Sequence, residues 1–180
     1  MALRVPEVVW WKPLHLVERT WLLVSAGFLL LLSASMVVWH AYLPVDNPGT
    51  SYKVAPEQFR AAAQAFIAQY RVGSEHGVAV VRPPEGGVAY LMASRFQWTP
   101  ILKLKKGKTY HIYASSLDVN HGLSLLGVFQ GEFSMNFQVV PGYINVLTVT
   151  PASTGEFEII CNQYCGLAHH LMSGRLIVTE

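Results

Sequence analysis

The longest apolar run in the chain lies near its amino terminus. Residues 21–43 contain no Asp, Glu, Lys or Arg. A helix of this length spans about 34 Å, enough to cross a lipid bilayer with some tilt. Trp21 near one end, and Trp39 and Tyr42 near the other, suit the two membrane–water interfaces. The pattern therefore predicts a single transmembrane helix over residues 21–43, preceded by a cytoplasmic or interfacial lead-in over residues 1–20.

A cleaved signal peptide is the alternative interpretation of this run, but signal peptides have an apolar stretch of only about 7–15 residues. The flanking charges predict the orientation of a retained helix. Arg4, Lys12 and Arg19 precede the run, whereas Lys53 is the first basic residue after it. Because basic residues stay on the cytoplasmic side, we expect a single-pass protein of the cytoplasmic membrane. Its amino terminus lies in the cytoplasm, and the remaining domain lies on the periplasmic or outer side.

The pattern changes twice after the apolar run. Residues 44–75 read as a linker rich in Pro, Gly and Asn, followed by an amphipathic helix with apolar side chains at helical spacing. Residues 76–180 instead show short apolar and alternating stretches separated by turn residues, roughly eight strands in all. Such a series predicts a mainly β domain, a β-sandwich with one core.

Charge adds little to this picture. Only 13% of the residues are charged, against about 25% in a typical soluble domain, and the formal net charge is +2. Neither the composition nor any basic run supports binding to nucleic acid. Lys103, Lys105, Lys106 and Lys108 do stand close together, and we interpret them as a solvated strand edge.

The candidate chemistry lies between the last two predicted strands, in CNQYCGLAHHLM at residues 161–172. This loop contains Cys161 and Cys165, the chain's two cysteines, together with His169 and Met172; His121 follows an earlier strand in DVNHG. Thiolate, imidazole and thioether are soft ligands that favour copper. A disulfide between the cysteines is the alternative in an exported domain, but it would close only a very short loop.

These motifs resemble subunit II of the haem-copper oxidases, which carries a binuclear copper centre called CuA in a cupredoxin domain. The resemblance rests on DVNHG, VVPG, GEFEIICNQYCGLAHHLMSG and IVTE, which match that family's ligand regions in order. It covers residues 78–180 closely and the anchor loosely. The single anchor and Gln163 are most similar to the B-type, or ba-type, members. The resemblance implies a cupredoxin-like Greek-key β-sandwich on a single N-terminal transmembrane helix.

The same resemblance implies the site and its partners. Two copper ions would share both thiolates, with His121 on one ion and His169 on the other, and with Met172 and the Gln163 carbonyl as weak donors. The implied function is transfer of electrons from a cytochrome c to haem in a catalytic subunit I that reduces O2. Because Gln163 carries no carboxylate, we predict no magnesium at this position.

Several alternatives remain at this point. The reaction could be that of a haem-copper nitric oxide reductase, or the chain could be a copper carrier or assembly protein. Zinc is the rival metal, since two Cys and two His make a structural zinc set, but zinc leaves Met172 unexplained. A quinol oxidase subunit that has lost its copper does not fit, because all the ligand types are present.

Other residues near the motif receive separate interpretations. We expect His170 to meet solvent or a partner, His111 to be packed or exposed within a strand, and Asp118 to cap a turn or orient the His121 loop. Trp98 is the candidate for the point where electrons enter, because related subunits use an exposed aromatic ring near the copper. The alternative is that Trp98 fills the edge of the sandwich.

Overall fold

The computed structural model describes residues 13–42, 49–125, 127 and 135–180. The chain divides into two units, Met1–Asp46 and Asn47–Glu180, which are described separately. Residues 1–12 of the predicted lead-in lie outside the described residues. So do residues 43–48, at the junction of the predicted membrane helix and the predicted linker.

The first unit contains one long helix, α1 (Leu16–Tyr42), which is long and apolar enough to cross a membrane and has none of its side chains buried. It begins five residues before the predicted start at Trp21. The His15 backbone N–H donates to the Glu18 carboxylate over 2.8 Å, which satisfies a free donor of the first turn. Polar residues at the amino end therefore extend the helix beyond its apolar part.

The second unit contains twelve strands, one α-helix and a short 3-10 helix among its described residues. They are, in chain order, β1 (Gly49–Lys53), α2 (Pro56–Tyr70), β2 (Arg71–Glu75), β3 (Val78–Val81), β4 (Val88–Ser94), β5 (Gln97–Thr99), β6 (Ile101–Lys105), β7 (Tyr110–Ser116), β8 (His121–Leu125), β9 (Met135–Val139), β10 (Tyr143–Val149), β11 (Gly155–Cys161), the 3-10 helix His169–Leu171 and β12 (Ser173–Thr179).

The strands form two sheets, which confirms the predicted cupredoxin-like β-sandwich. One sheet has the order β1-β10-β7-β4-β5, and the other has the order β2-β3-β6-β12-β11-β8-β9. Most neighbours are antiparallel, whereas β4 with β7, β3 with β6, and β6 with β12 are parallel. The core lies between the sheets and is filled by alternating apolar side chains such as Leu102, Leu104, Ile112, Leu123 and Leu147.

Helix α2 is part of the sandwich unit. Phe59, Ala63 and Phe66 follow one another at helical spacing and are buried. The rings of Phe59 and Phe66 pack against Tyr90 of β4, at centroid distances of 5.7 and 5.6 Å. The helix therefore covers one outer face of the five-stranded sheet.

The segment 44–75 differs from its prediction as linker and helix, because β1 and β2 flank α2 and belong to the two sheets. Backbone pairing explains the difference. β1 adds to β10 and β2 adds to β3, both antiparallel. Edge strands of this kind are stabilised by a neighbour's free N–H and C=O groups and need little apolar alternation of their own.

The lysine group also differs from its prediction as a strand edge. Strand β6 lies between β3 and β12, inside the seven-stranded sheet. Lys105 and Lys108 pair with Glu85 at 2.5 and 3.3 Å, and Lys106 approaches Glu180 at 3.9 Å. Lys105, Lys106 and Lys108 are solvated at the end of an internal strand, where acidic neighbours offset their charge, and Lys103 is half-buried within that strand.

Two loops and one turn gather at the opposite end of the sandwich. β4 and the parallel strand β7 both finish there, at Ser94 and Ser116. β11 finishes at the same end with Cys161, and β12 begins there with Ser173. This end therefore carries the β4–β5 turn, the β7–β8 loop and the β11–β12 loop, and the candidate ligands lie in the β11–β12 loop or at the strand ends next to the two loops.

Gly174 of β12 tests how closely the sheets approach at this end. A Cβ atom added there would lie 2.6 Å from the Trp98 Cβ, so Gly174→Ala should lower the free energy of unfolding by about 1–3 kcal/mol through overpacking. Gly73→Ala on β2 is the matched control, because a Cβ there meets nothing within 4 Å. Thermal unfolding of the metal-free chain measures both. Equal stability of the two variants would contradict the close approach.

Candidate metal centre

The first pair of candidate ligands lies on neighbouring strands. His121 begins β8 and Cys161 ends β11, and the backbone pairs Cys161 with Leu123. The His121 side chain is fully buried and Cys161 is 4% exposed. Because both residues belong to a hydrogen-bonded ladder, the sheet fixes their separation.

The β11–β12 loop supplies the second thiol. Cys165 is 5% exposed, and its sulfur lies 3.8 Å from the Cys161 sulfur. The Cys161 backbone N–H donates to the Met172 carbonyl over 3.2 Å, which closes the base of the loop. Both cysteines are free thiols, so the predicted disulfide alternative is not formed.

The remaining predicted donors surround this sulfur pair. His121 Nδ1 lies 3.8 Å from the Cys161 sulfur, and the Gln163 carbonyl oxygen lies 3.3 Å from the same sulfur. On the other side, His169 Nδ1 lies 3.6 Å and the Met172 sulfur 3.7 Å from the Cys165 sulfur. The six residues predicted from the sequence therefore come together in one cluster.

The distances fit metal ligands. Metal–nitrogen and metal–sulfur bonds in proteins are about 2.0–2.3 Å, so two donors on one ion commonly lie about 3–4 Å apart, as the neighbouring donor pairs at 3.6–3.8 Å do. His121, Cys161 and Cys165 have their donor atoms within 4.8 Å of one another, and all three residues are buried. Within the described ranges, no other group of three His, Cys, Asp or Glu side chains has this arrangement. The soft donor set favours copper.

Asp118 both caps a turn and orients His121. Its carboxylate accepts backbone N–H bonds from Val119 and Arg95 at 2.7 and 2.8 Å, and its Oδ1 lies 2.9 Å from His121 Nε2. With the Nε2 proton directed at the carboxylate, His121 Nδ1 is free to bind a metal. Partial burial raises the pKa of Asp118, but hydrogen bonds from His121, Arg95 and Val119 outweigh it and lower the pKa overall.

The two adjacent histidines of the loop differ in their surroundings. His169 is half-buried with Nδ1 at the sulfur pair, whereas His170 is exposed. His111 is also exposed, and its Nδ1 lies 3.2 Å from the Thr148 hydroxyl on the neighbouring strand. The geometry thus agrees with the expectation that His169, rather than His170, is the ligand.

Trp98 lies beside the centre but inside the protein. Its ring centroid is 6.2 Å from that of His121, yet the residue is only 2% exposed. It belongs to β5, where it packs against Gly174 of β12. The expectation of an exposed ring is therefore wrong, because the side chain points into the core between the sheets.

Tyr164 is the exposed aromatic residue at the centre, and sequence reasoning missed it. It is 70% exposed, and its ring stands edge-on to His169 with centroids 5.9 Å apart. Leu167 and Leu171 in the same loop are 92% and 69% exposed. We call Tyr164, Leu167 and Leu171 the apolar collar of the loop. Its signal in the sequence is three large apolar residues between the ligand positions, which ordinarily would be buried.

Comparison with known proteins shows the family of the chain. Cytochrome c oxidase subunit 2 of Thermus thermophilus is 34% identical over 98 residues, which cover 54% of this chain and 69% of that protein. The chain belongs to the cytochrome c oxidase subunit 2 family. The match confirms the prediction, made from the sequence motifs, that the chain is an oxidase subunit of this family.

A second member of the cytochrome c oxidase subunit 2 family matches over a longer part of the chain. An alternative cytochrome c oxidase subunit 2 of Bradyrhizobium diazoefficiens is 25% identical over 88% of this chain, and the chain spans 57% of that relative. A chain of a haem-copper terminal oxidase dimer solved by cryo-EM shares the fold. Its TM-score is 0.50 at 22% identity, with 91% of this chain and 99% of that chain covered. No sequence-family model matches the chain.

The buried thiols predict how copper binding depends on pH. Burial raises the pKa of the Cys165 thiol to about 11, and its hydrogen bond with Cys161 adds to the rise. At pH values below this pKa the metal-free thiol is protonated, and binding must release the proton. The affinity for Cu(I) should therefore rise at least about tenfold per pH unit between about pH 7 and pH 9.

Competition with a Cu(I)-specific chelator under anaerobic conditions measures this slope. Met172→Leu is the matched control, because a thioether carries no proton and its loss should change the affinity but not the slope. An affinity that is independent of pH over this range would show that Cys165 does not bind as a thiolate.

Proposed function

We propose that the cluster holds a binuclear copper centre and that the chain is the electron-transfer subunit of a terminal oxidase. The ligands are His121, Cys161, Cys165, His169 and Met172, with the main-chain carbonyl of Gln163. The observation that carries the proposal is the pair of buried sulfurs 3.8 Å apart, each with its own imidazole nitrogen at 3.6–3.8 Å.

The symmetry of the donors supports two ions. Cys161 has His121 and the Gln163 carbonyl beside it, whereas Cys165 has His169 and Met172. Each half of the cluster therefore offers a thiolate, an imidazole and one weak donor, and the two thiolates lie close enough to be shared. A single tetrahedral ion bound by both thiolates and both imidazoles, such as zinc, would leave the Met172 thioether and the Gln163 carbonyl unused.

The protein's own contribution is a rigid and dry cluster. When bound, the copper pair supplies a one-electron carrier. Strands β8 and β11 hold His121 and Cys161, and Asp118 fixes the ring of His121 through Nε2. Cys165 and Met172 are 5% and 2% exposed, so the loop excludes water from the sulfurs. Ligands that are already in place need little movement when the charge of the site changes.

The reaction partners follow from the family. The relatives are named cytochrome c oxidase subunits, which supports a c-type cytochrome as the donor, haem in a separate catalytic subunit as the acceptor, and O2 as the final oxidant. The apolar collar supports contact with another subunit, because exposed large apolar side chains around a functional residue are typical of interaction sites. His169 lies within this collar and is half-buried.

We further propose that α1 anchors the domain with the amino terminus in the cytoplasm. The helix is long enough to span a bilayer, and the basic residues Arg4, Lys12 and Arg19 precede most of it. The positive-inside rule then directs the copper domain to the outer face.

The copper count is the first test of the proposal. The full chain in detergent should bind two copper ions and give an EPR signal of one electron shared by both. His169→Ala should abolish or convert that signal, because it removes one imidazole, whereas the matched control His170→Ala should leave it nearly intact. One copper per chain, or equal loss from both substitutions, would overturn the binuclear assignment.

Membrane topology is a separate test. In intact spheroplasts, added protease should cleave the domain that follows α1, because the charge distribution directs it to the outer face. Immunodetection of an epitope at the carboxyl terminus follows the cleavage, and a cytoplasmic protein serves as the protected control. Protection of the epitope in intact spheroplasts, with cleavage only after lysis, would reverse the orientation.

A further inference from the structure

The loop makes an unusually close approach to strand β8 beside the first copper ligand. A Cβ atom added to Gly122 would lie 1.8 Å from the side-chain oxygen of Asn162 and 2.8 Å from the Gln163 backbone nitrogen. No other residue type has room at this position, since real Cβ atoms do not approach so closely. The side chain of Asn162 therefore rests directly on the backbone next to His121.

Asn162 is also hydrogen-bonded to two strands. Its backbone N–H donates to the Gly122 carbonyl over 3.1 Å, which continues the β11–β8 ladder one residue beyond Cys161. Its side-chain amide donates to the Asn136 side-chain oxygen over 2.9 Å. Asn136 belongs to β9, which pairs with β8 from His121 opposite Val139 to Leu125 opposite Met135. The residue thus ties the start of the loop to both strands.

Asn162 lies between two donors of the proposed copper centre. Asn162 directly follows Cys161 and directly precedes Gln163, whose carbonyl lies 3.3 Å from the Cys161 sulfur. The Gln163 carbonyl belongs to the next peptide along the chain, so a rotation about the backbone torsion angles of Asn162 would move it. The contacts with Gly122 and Asn136 oppose such a rotation.

We propose that Asn162 is a positioning residue that fixes the Cys161 thiolate and the Gln163 carbonyl relative to His121. The proposal rests on the copper centre proposed above. Asn162 does not itself bind the metal. It acts through its close contact with Gly122 and its hydrogen bond to Asn136. Because both side-chain amides are uncharged, this positioning does not depend on pH.

The exposure of Asn162 allows positioning to be separated from folding. Asn162 is exposed, so Asn162→Ala leaves no cavity in the core. Asn145→Ala is the matched control: its side-chain amide donates to the Gln138 carbonyl of β9 over 3.0 Å, but Asn145 lies on β10 of the other sheet. Both variants remove one exposed amide hydrogen bond to the same strand.

The test uses the full chain in detergent, loaded with copper. Asn162→Ala should alter the EPR spectrum, shift the reduction potential, and speed copper release to a chelator roughly three- to tenfold, the range set by one neutral hydrogen bond. Asn145→Ala should leave all three unchanged. Both metal-free variants should unfold at the same temperature. Gly122→Ala should disturb the spectrum more than Asn162→Ala, because a Cβ there also meets the loop backbone.

The outcomes separate this proposal from the copper centre itself. If the unsubstituted chain does not bind two copper ions, the proposed function fails and this inference fails with it. If that chain binds two ions while Asn162→Ala keeps its spectrum, potential and release rate, only the positioning role is overturned. A lowered unfolding temperature for metal-free Asn162→Ala, with spectrum and potential unchanged, would likewise overturn it and show a purely structural contact.

Discussion

The rest of the site depends on the burial of two sulfur atoms 3.8 Å apart at the end of a β-sandwich. A thiolate is costly to bury without a cation or hydrogen bonds, so the pair stays protonated until a metal binds, and the proposed centre demands that the surrounding chain shield the sulfurs from water. Strand β11 must end at Cys161, and β12 must begin as soon as the loop has supplied its remaining donors. The close approach of the loop to Gly122 follows from the same demand, because any added side chain on β8 would push the loop away.

Some donors lie on a sheet and others in a loop. This division explains how the centre can have fixed ligand positions and still be accessible from one side. Backbone pairing fixes the positions of His121 and Cys161, whereas the positions of Cys165, His169 and Met172 depend on the conformation of the loop and its 3-10 turn. The strand side is closed, with His121 fully buried and held by Asp118. The loop side is open, with His169 half-buried beside the exposed Tyr164.

The sequence singles out the six residues that the structure brings into one cluster, but it predicts their surroundings less well. Cys161, Cys165, His169 and Met172 share one short loop, and few structures other than a metal centre need four soft donors there. His121 lies forty residues away, but Asp118 and the strand before it reveal its loop. The burial of Trp98 could not be predicted from the sequence, because an aromatic residue beside a turn can face the core or solvent. The packing of Trp98 against Gly174 places it in the core. Tyr164 and its leucine neighbours were missed because large apolar residues between ligand positions ordinarily pack into a core, and only the folded loop shows that these three are exposed.

The strands on either side of α2 also could not be predicted from the local pattern of apolar and polar residues. GTSYK and RVGSE lack the apolar alternation of a half-buried strand, yet both join a sheet through backbone pairing at its edge. The spacing of Phe59 and Phe66 identifies a helix with an apolar face, but the sequence does not say which surface covers that face. The partner, Tyr90 of β4, becomes visible only when the sheet is formed.

The docking of α2 therefore determines where a soluble fragment of this subunit can start. A fragment beginning at residue 76 would lack β1, α2 and β2, and it would expose the aromatic rings of Tyr90 and Tyr113 that the helix covers. It would also leave β10 and β3 unpaired along the edges that β1 and β2 cover, and a free strand edge beside exposed aromatic surface promotes aggregation. The shortest fragment that keeps both sheets whole begins ahead of Gly49, so the amino-terminal segment that follows the membrane helix is a structural part of the copper domain.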